Sequence, residues 1–453
     1  MNKFLKYILV FTILFCTLLT APSASVRAEE TTEEQDGLYW PDAPELVSKA
    51  AILMDADTGA ILYEKNSHER NYPASTTKIL TGLLVCRNAG LSEQVVFSKE
   101  AANSVEYGDA TLSTKEGEIY TVEQALYGLL LYSANEIAYA LAEHVSGSYD
   151  SFIDLMNKTV EELGATDTHF ENASGLYDDN HYSTAYDMAL IARMCFNNPT
   201  FLTIDSTAKY EIPPTNKTNE ERVFFNRNLL LPERPYGYEY CVGGKTGYLP
   251  EGGYTYVSYA EKDGMRLIFV GFNSTADDRF ADAKKSFEWG FENFTKVTLT
   301  GSTLTAAYSD ASFLSSKRYN GNNITKVFDS SFVTLPNSAQ LSDATISKDP
   351  NNQTVYSANS ITVPLVFSYG DHTVGTAALS YNATTLNDTG SGLLPVKKTT
   401  DSVEYKTKKA FVIDLRILIV IGIALLIIYI IYAARKNAQR KKQIPKWKKN
   451  KYY

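Results

Sequence analysis

Residues 73–84, Pro73-Ala74-Ser75-Thr76-Thr77-Lys78-Ile79-Leu80-Thr81-Gly82-Leu83-Leu84, set a hydroxyl and an amine three positions apart at the head of an apolar stretch. Residues three apart share a helix face, so a helix here brings Ser75 and Lys78 together across one turn. A serine needs a base to become a nucleophile, and a lysine desolvated on an apolar helix serves once its pKa falls. At the helix start Ser75 also meets the positive end of the dipole, which favours a developing oxyanion. A lone Ser-x-x-Lys arises by chance on many helices, so the pair gains weight only with company.

Two further motifs supply it. Ser133-Ala134-Asn135 lies inside an apolar helical stretch, between Leu129-Leu130-Leu131 and Ile137-Ala138. Its hydroxyl and carboxamide are suited to relaying a proton and holding an amide; a helix break with local Ser and Asn capping is the alternative. Lys245-Thr246-Gly247 follows Gly243-Gly244, just ahead of a strand predicted to start at Tyr254. The glycines would let a ligand lie against the backbone, Lys245 supplies positive charge and Thr246 a hydroxyl for a carboxylate. Alone, it could equally be a Gly-rich turn.

Around these motifs, residues 50–54 and 60–63 read as a hairpin closed by the turn at 55–59. Helical signals dominate 76–88, 122–145, 151–163 and 185–196. Strands return at 254–260 and 267–272 around a turn at 261–264, and a last helix is predicted over 277–291. Strands at both ends of a helical middle imply a sheet assembled from distant parts of the chain. From residue 298 to 405 the composition shifts to Thr, Ser and Asn with short alternating stretches, such as 327–334 and 361–369. That is a small all-β domain without a nucleophile-and-base motif.

The two ends of the 453-residue chain carry targeting signals. Residues 1–28 place Lys3 and Lys6 before an apolar run and end on Val26 and Ala28, a secretory signal peptide. Residues 29–43 form an acidic leader. A basic linker at 406–410 leads to 411–434, which reaches spanning length and is read as a transmembrane helix. The tail, 435–453, holds nine Lys or Arg and no acid, which predicts a cytoplasmic tail and an extracytoplasmic segment before it, a single-pass arrangement in the cell membrane. The net charge of −9 conceals an asymmetry: without the signal and tail, the residues between carry −21. Nucleic-acid binding needs clustered basic charge, so it is excluded as a partner. Of the four cysteines, Cys16 lies in the signal; Cys86, Cys195 and Cys241 remain after its removal, an odd set read as unpaired thiols, with Cys86 and Cys195 inert and buried. No cluster has metal-ligand spacing, so neither a metal nor another cofactor is expected.

Ser-x-x-Lys, Ser-x-Asn and Lys-Thr-Gly, in that order, resemble the signature of penicillin-binding proteins and class A β-lactamases. The surrounding text resembles the low-molecular-weight D-alanyl-D-alanine carboxypeptidases, a family of serine peptidases. The resembling stretches include 133–136, 163–165, Asn172-Ala173-Ser174-Gly175-Leu176, 183–189 and 244–248. The likeness runs from about residue 44 to 294. It implies an α+β fold: a serine β-lactamase/transpeptidase-like catalytic domain over 44–297, an antiparallel sheet with helices on both sides. It further implies cleavage of peptidoglycan stem peptides through an acyl-enzyme, with β-lactam antibiotics as inhibitors. Ser75 would attack, Lys78 take its proton, and Ser133 pass a proton to the leaving amine with Asn135 in support. Lys245 and Thr246 would hold the terminal carboxylate beside Gly247. The backbone N–H groups of Ser75 and Tyr248 would form the oxyanion hole.

Two positions depart from the family pattern: Glu136 stands where Asp is usual, and Leu249 where Thr is common. A β-lactamase would need a Glu-x-x-Leu-Asn string, which is absent between Asn135 and Lys245. A non-catalytic wall-binding scaffold predicts erosion of Ser75, Lys78 or Lys245, and all three are kept. Endopeptidase action on cross-links stays open, since one site could cleave either bond.

Overall fold

A computed structural model describes residues 38–300, 303, 324–327, 331–350, 352–356 and 360–382. Strands β1 (Ala50–Asp55) and β2 (Ile61–Lys65) form the expected hairpin. Its turn is fixed by Asp55, whose Oδ1 accepts from the backbone N–H groups of Asp57 (2.8 Å) and Thr58 (2.9 Å). Three later strands complete an antiparallel sheet: β3 (Cys241–Leu249), β4 (Gly253–Lys262) and β5 (Met265–Ser274). Their order is β2-β1-β5-β4-β3, so β1 pairs with the last strand, joining distant parts of the chain.

Period-two alternation puts β1 side chains on both faces of this sheet. Ile52 and Met54 enter one core with Leu80, Leu83 and Ile191; Ala51 and Leu53 enter another with Phe280 and Phe287. The first core is supplied by helices Lys78–Asn88, Asn135–Ser146 and Ala185–Phe196, the second by helix Asp278–Asn293. Burying one Leu or Phe side chain contributes on the order of 2 kcal/mol, so occupation of both faces holds the sheet in register. The fold is thus α+β, an antiparallel sheet between helical layers.

One expectation is corrected. The stretch predicted as one helix over 122–145 is three pieces: an α-helix Val122–Tyr127, a π-helical turn Gly128–Tyr132 and an α-helix Asn135–Ser146. Ser133 takes a left-handed backbone (φ +70°) and Ala134 an extended one, so the apolar periodicity survives while the hydrogen-bond ladder is broken. Of the two readings open for Lys245, a strand with glycines and a Gly-rich turn, the structure gives the strand: Lys245 lies within β3, at the edge of the sheet. Glycines at 243, 244 and 247 kept the bounds of this strand out of the sequence pattern, because they weaken the β signal that side chains supply.

Beyond the sheet, strand Phe294–Thr298 pairs with Phe332–Pro336, and Ser360–Tyr369 pairs along its length with His372–Asn382. Val333, Leu335, Leu365 and Phe367 form a separate core. Thr334 ties it to the hairpin, its Oγ1 donating to Asp55 Oδ2 (2.9 Å). Among the described residues no helix is long and apolar enough to cross a membrane. The segments 1–28, 406–410, 411–434 and 435–453 lie outside the described residues.

Candidate active site

The chain enters the site through a tight 3₁₀ turn, Ala74–Thr77, which runs directly into helix Lys78–Asn88. Two neighbours clamp this turn. Thr255 Oγ1 on β4 donates to the Pro73 carbonyl (3.1 Å), and Gly247 on β3 leaves room for the same contact. A Cβ at Gly247 would stand 2.2 Å from Thr255 Oγ1 and 3.0 Å from Ala74 Cβ. On the other side Gly175 (φ +82°) packs against Ala74, where a Cβ would fall 1.8 Å from the Ala74 carbonyl oxygen. That glycine is held by Asn172, whose Oδ1 accepts from the N–H groups of Gly175 (2.6 Å) and Leu176 (3.0 Å).

Lys78 is fully buried. Its Nζ lies 2.6 Å from Asn135 Oδ1, 2.6 Å from the Ser174 carbonyl oxygen and 3.2 Å from Ser75 Oγ. Burial, and then the Arg227 guanidinium, push its pKa down to about 7, against a smaller pull upward from Asp109 and Glu136. Two of the three neighbours are oxygens that can only accept. A neutral amine gives its two N–H bonds to these and keeps its lone pair for the Ser75 hydroxyl. The helix head is braced from behind by His181. Its Nδ1 accepts from the Glu171 N–H (3.1 Å), which leaves Nε2–H to donate to Thr77 Oγ1 (2.8 Å). Burial lowers the His181 pKa to about 3, so the ring is neutral and this tautomer is fixed.

The π-turn delivers Ser133. Its Oγ is buried and has no hydrogen-bond partner among the described residues. Buried hydroxyls are rarely left so, and a left-handed non-glycine backbone is itself strained; both features concentrate at functional sites. Asn135, two residues further at the start of the next helix, holds Lys78 rather than Ser133. Glu136 faces away, its Oε1 accepting from the Leu112 N–H (2.7 Å), where it anchors the loop before the site.

Lys245 is also fully buried, with Nζ donating to the Thr246 carbonyl (2.9 Å). Burial first, then the positive charge of Lys78, hold its pKa well below the usual lysine value. Asp205 accepts from the Gly244 N–H through Oδ2 (2.6 Å) and steadies β3 just before it. Tyr248 points outward, half exposed, against Tyr254. Ser75, Ser133, Asn135, Thr246, Gly247 and Tyr248 all line one cleft of about 500 Å³. Lys78 and Lys245 sit beneath its surface.

Three arginines in the cleft wall, Arg227, Arg234 and Arg279, carried no signal in the sequence, because each is an isolated cation on a loop or helix start. The Asn172–Leu176 loop enters the sequence reading only as a resembling stretch, yet its role is legible in its residues: Asn followed at a short interval by Ser-Gly is a turn in which one side chain gathers several N–H groups. Among the described residues Cys86, Cys195 and Cys241 are unpaired; burial pushes the Cys86 thiol up to about 12 and Cys195 well above its usual value. Among the described residues no group of His, Cys, Asp and Glu could hold a metal ion.

The fold is shared with solved penicillin-binding proteins and their relatives. Penicillin-binding protein 6B of Escherichia coli superposes with a TM-score of 0.57 at 26% identity, covering 75% of this chain and 97% of that one. A D-alanyl-D-alanine carboxypeptidase of Mycobacterium tuberculosis gives 0.51 at 31% identity, over 56% of this chain and 94% of the other. In sequence, the D-alanyl-D-alanine carboxypeptidase DacF of Bacillus subtilis is 35% identical over 287 residues, 62% of this chain and 71% of DacF. Residues 39–276 match the D-alanyl-D-alanine carboxypeptidase family, and the chain belongs to it.

Proposed function

We propose that this family member removes the terminal D-alanine from peptidoglycan stem pentapeptides through an acyl-enzyme on Ser75. The observation that carries the proposal is the environment of Lys78: two acceptors fix its protons and its third neighbour is the Ser75 hydroxyl. In this reading Lys78 takes the Ser75 proton as Oγ bonds to the carbonyl carbon of the penultimate D-alanine. The C–N bond then breaks, and Ser133 passes a proton to the departing amine. Asn135 keeps Lys78 aligned, and Lys245 and Thr246 receive the terminal carboxylate. Gly247 lets the peptide approach β3, and the N–H groups of Ser75 and Tyr248 stabilise the oxyanion. Water releases the shortened peptide. A β-lactam enters the same path but keeps its leaving group tethered, so it acts as an inhibitor.

Residues 44–297 are the catalytic domain in this proposal and 298–405 an all-β spacer. Residues 1–28 direct export, 29–43 form the acidic leader and 406–410 the linker. A transmembrane helix over 411–434 and a basic tail over 435–453 anchor the enzyme with its site outside the cell membrane. Sequence supports this: an uncharged run followed at once by nine basic residues. Purified protein mixed with a peptide ending in D-Ala-D-Ala should release one D-alanine, seen by mass spectrometry. An unchanged peptide mass would overturn the proposal.

A further inference from the structure

Two buried lysines share this site, and the proposed reaction asks opposite things of them. Lys78 must be neutral to take a proton, whereas Lys245 must be a cation to receive a carboxylate. Burial disfavours the charged form of both. Lys78, Arg227 and Arg279 add positive charge around Lys245 and press the same way. The acid that acts in the opposite sense is Asp205.

Asp205 closes helix Pro199–Asp205, which packs Phe201 and Ile204 into the first core. Asn226 Nδ2 donates to the Asp205 carbonyl (2.8 Å) and fixes the helix end. The side chain is buried against β3: Oδ2 accepts from the Gly244 N–H (2.6 Å), and a Cβ at Gly243 would fall 2.6 Å from the same oxygen. Gly243 and Lys245 are two apart on β3, so the carboxylate lies on the face from which the Lys245 side chain projects. Their partners on β4, Tyr259 and Val257, enter the first core, which helix Lys78–Asn88 also supplies.

Asp205 Oδ1 is buried and has no hydrogen-bond partner among the described residues. A buried acid left open on one side is costly unless a cation stands near, and Lys245 is that cation. Cys195, Cys241, Tyr256 and Tyr259 also face Asp205, from helix Ala185–Phe196, β3 and β4, but burial holds all four protonated. Burial raises the Asp205 carboxyl to about 7, against the pull of the Gly244 N–H and the Lys245 charge. It is therefore ionised above neutral pH, where Lys78 is neutral.

We propose that Asp205 is a positioning residue for Lys245: its carboxylate is the buried counter-charge that keeps the Lys245 ammonium ready for the terminal carboxylate of the substrate. The inference rests on the carboxypeptidase reading and deepens it, since it assigns the group that lets one buried lysine stay charged beside a neutral one.

The test is the pH profile of kcat/KM for a peptide ending in D-Ala-D-Ala, measured on the purified full-length protein from pH 6 to 9. Asp205→Asn keeps the size of the side chain and an oxygen for the Gly244 N–H, and removes the charge. Wild type should rise through pH about 7 as Lys78 becomes neutral, then hold a plateau to pH 9. In Asp205→Asn the plateau should break at least one unit lower, the scale of one neighbouring opposite charge. The loss should grow with pH to about tenfold at pH 9 and lie in KM rather than kcat. An unchanged profile, a loss of equal size at every pH, or a loss confined to kcat overturns the inference; so does a wild-type plateau that already breaks between pH 7 and 9. Each of these leaves the carboxypeptidase reading standing, because wild type still releases D-alanine. If wild type releases none, that reading fails, and this inference with it.

Discussion

Among the described residues Lys78 has no acid within hydrogen-bonding distance, only two carbonyl oxygens and the Ser75 hydroxyl. Its depressed pKa follows chiefly from burial, and a base near neutrality is the one best matched to taking a proton at physiological pH. The neutral form gains as pH rises, so acylation of Ser75 by penicillin should climb through pH about 7 and level off above it. Stopped-flow acylation rates across pH 5–9 check this; a rate that falls as pH rises through that range would remove Lys78 as the base. Lys78→Ala should slow acylation by roughly 10²–10⁴-fold, the usual share of a positioned base. Most of this pair was legible in the sequence, since spacing alone sets Ser75 and Lys78 on one face. The role of Asn135 was not, because its partner lies 57 residues earlier in the chain.

Gly175 and Gly247 grip the turn that carries Ser75 from opposite sides, one on a loop and one on β3. At Gly175 a side chain meets two penalties: a left-handed backbone, which costs about 1–2 kcal/mol, and collision with the Ala74 carbonyl. Gly175→Ala should therefore displace the turn and lower penicillin acylation at least tenfold, while the far-UV circular dichroism of the whole protein changes little. Wild-type acylation in that variant would mean the turn is held by β3 alone. At this scale the sequence spoke unevenly. The hairpin, helix Ala185–Phe196 and strands β4 and β5 stood out through clean apolar periodicity. The break at Ser133 and strand β3 did not, because a π-turn keeps the apolar pattern and glycines erase the strand pattern.

For the whole molecule, the described residues place the site at the edge of a sheet sealed by two cores, with a separate all-β core joined through Thr334 and Asp55. The proposed anchor makes an independent prediction: protease added outside intact cells should remove the catalytic part and spare the basic tail. Digestion of the tail instead would reverse the orientation. The central claim, that Ser75 is the acylated nucleophile, is tested most directly by treating the purified protein with penicillin and mapping its peptides by mass spectrometry. The account predicts one penicilloyl adduct, on the peptide containing Ser75, and none in Ser75→Ala. An adduct on another residue, or equal modification of Ser75→Ala, would contradict it.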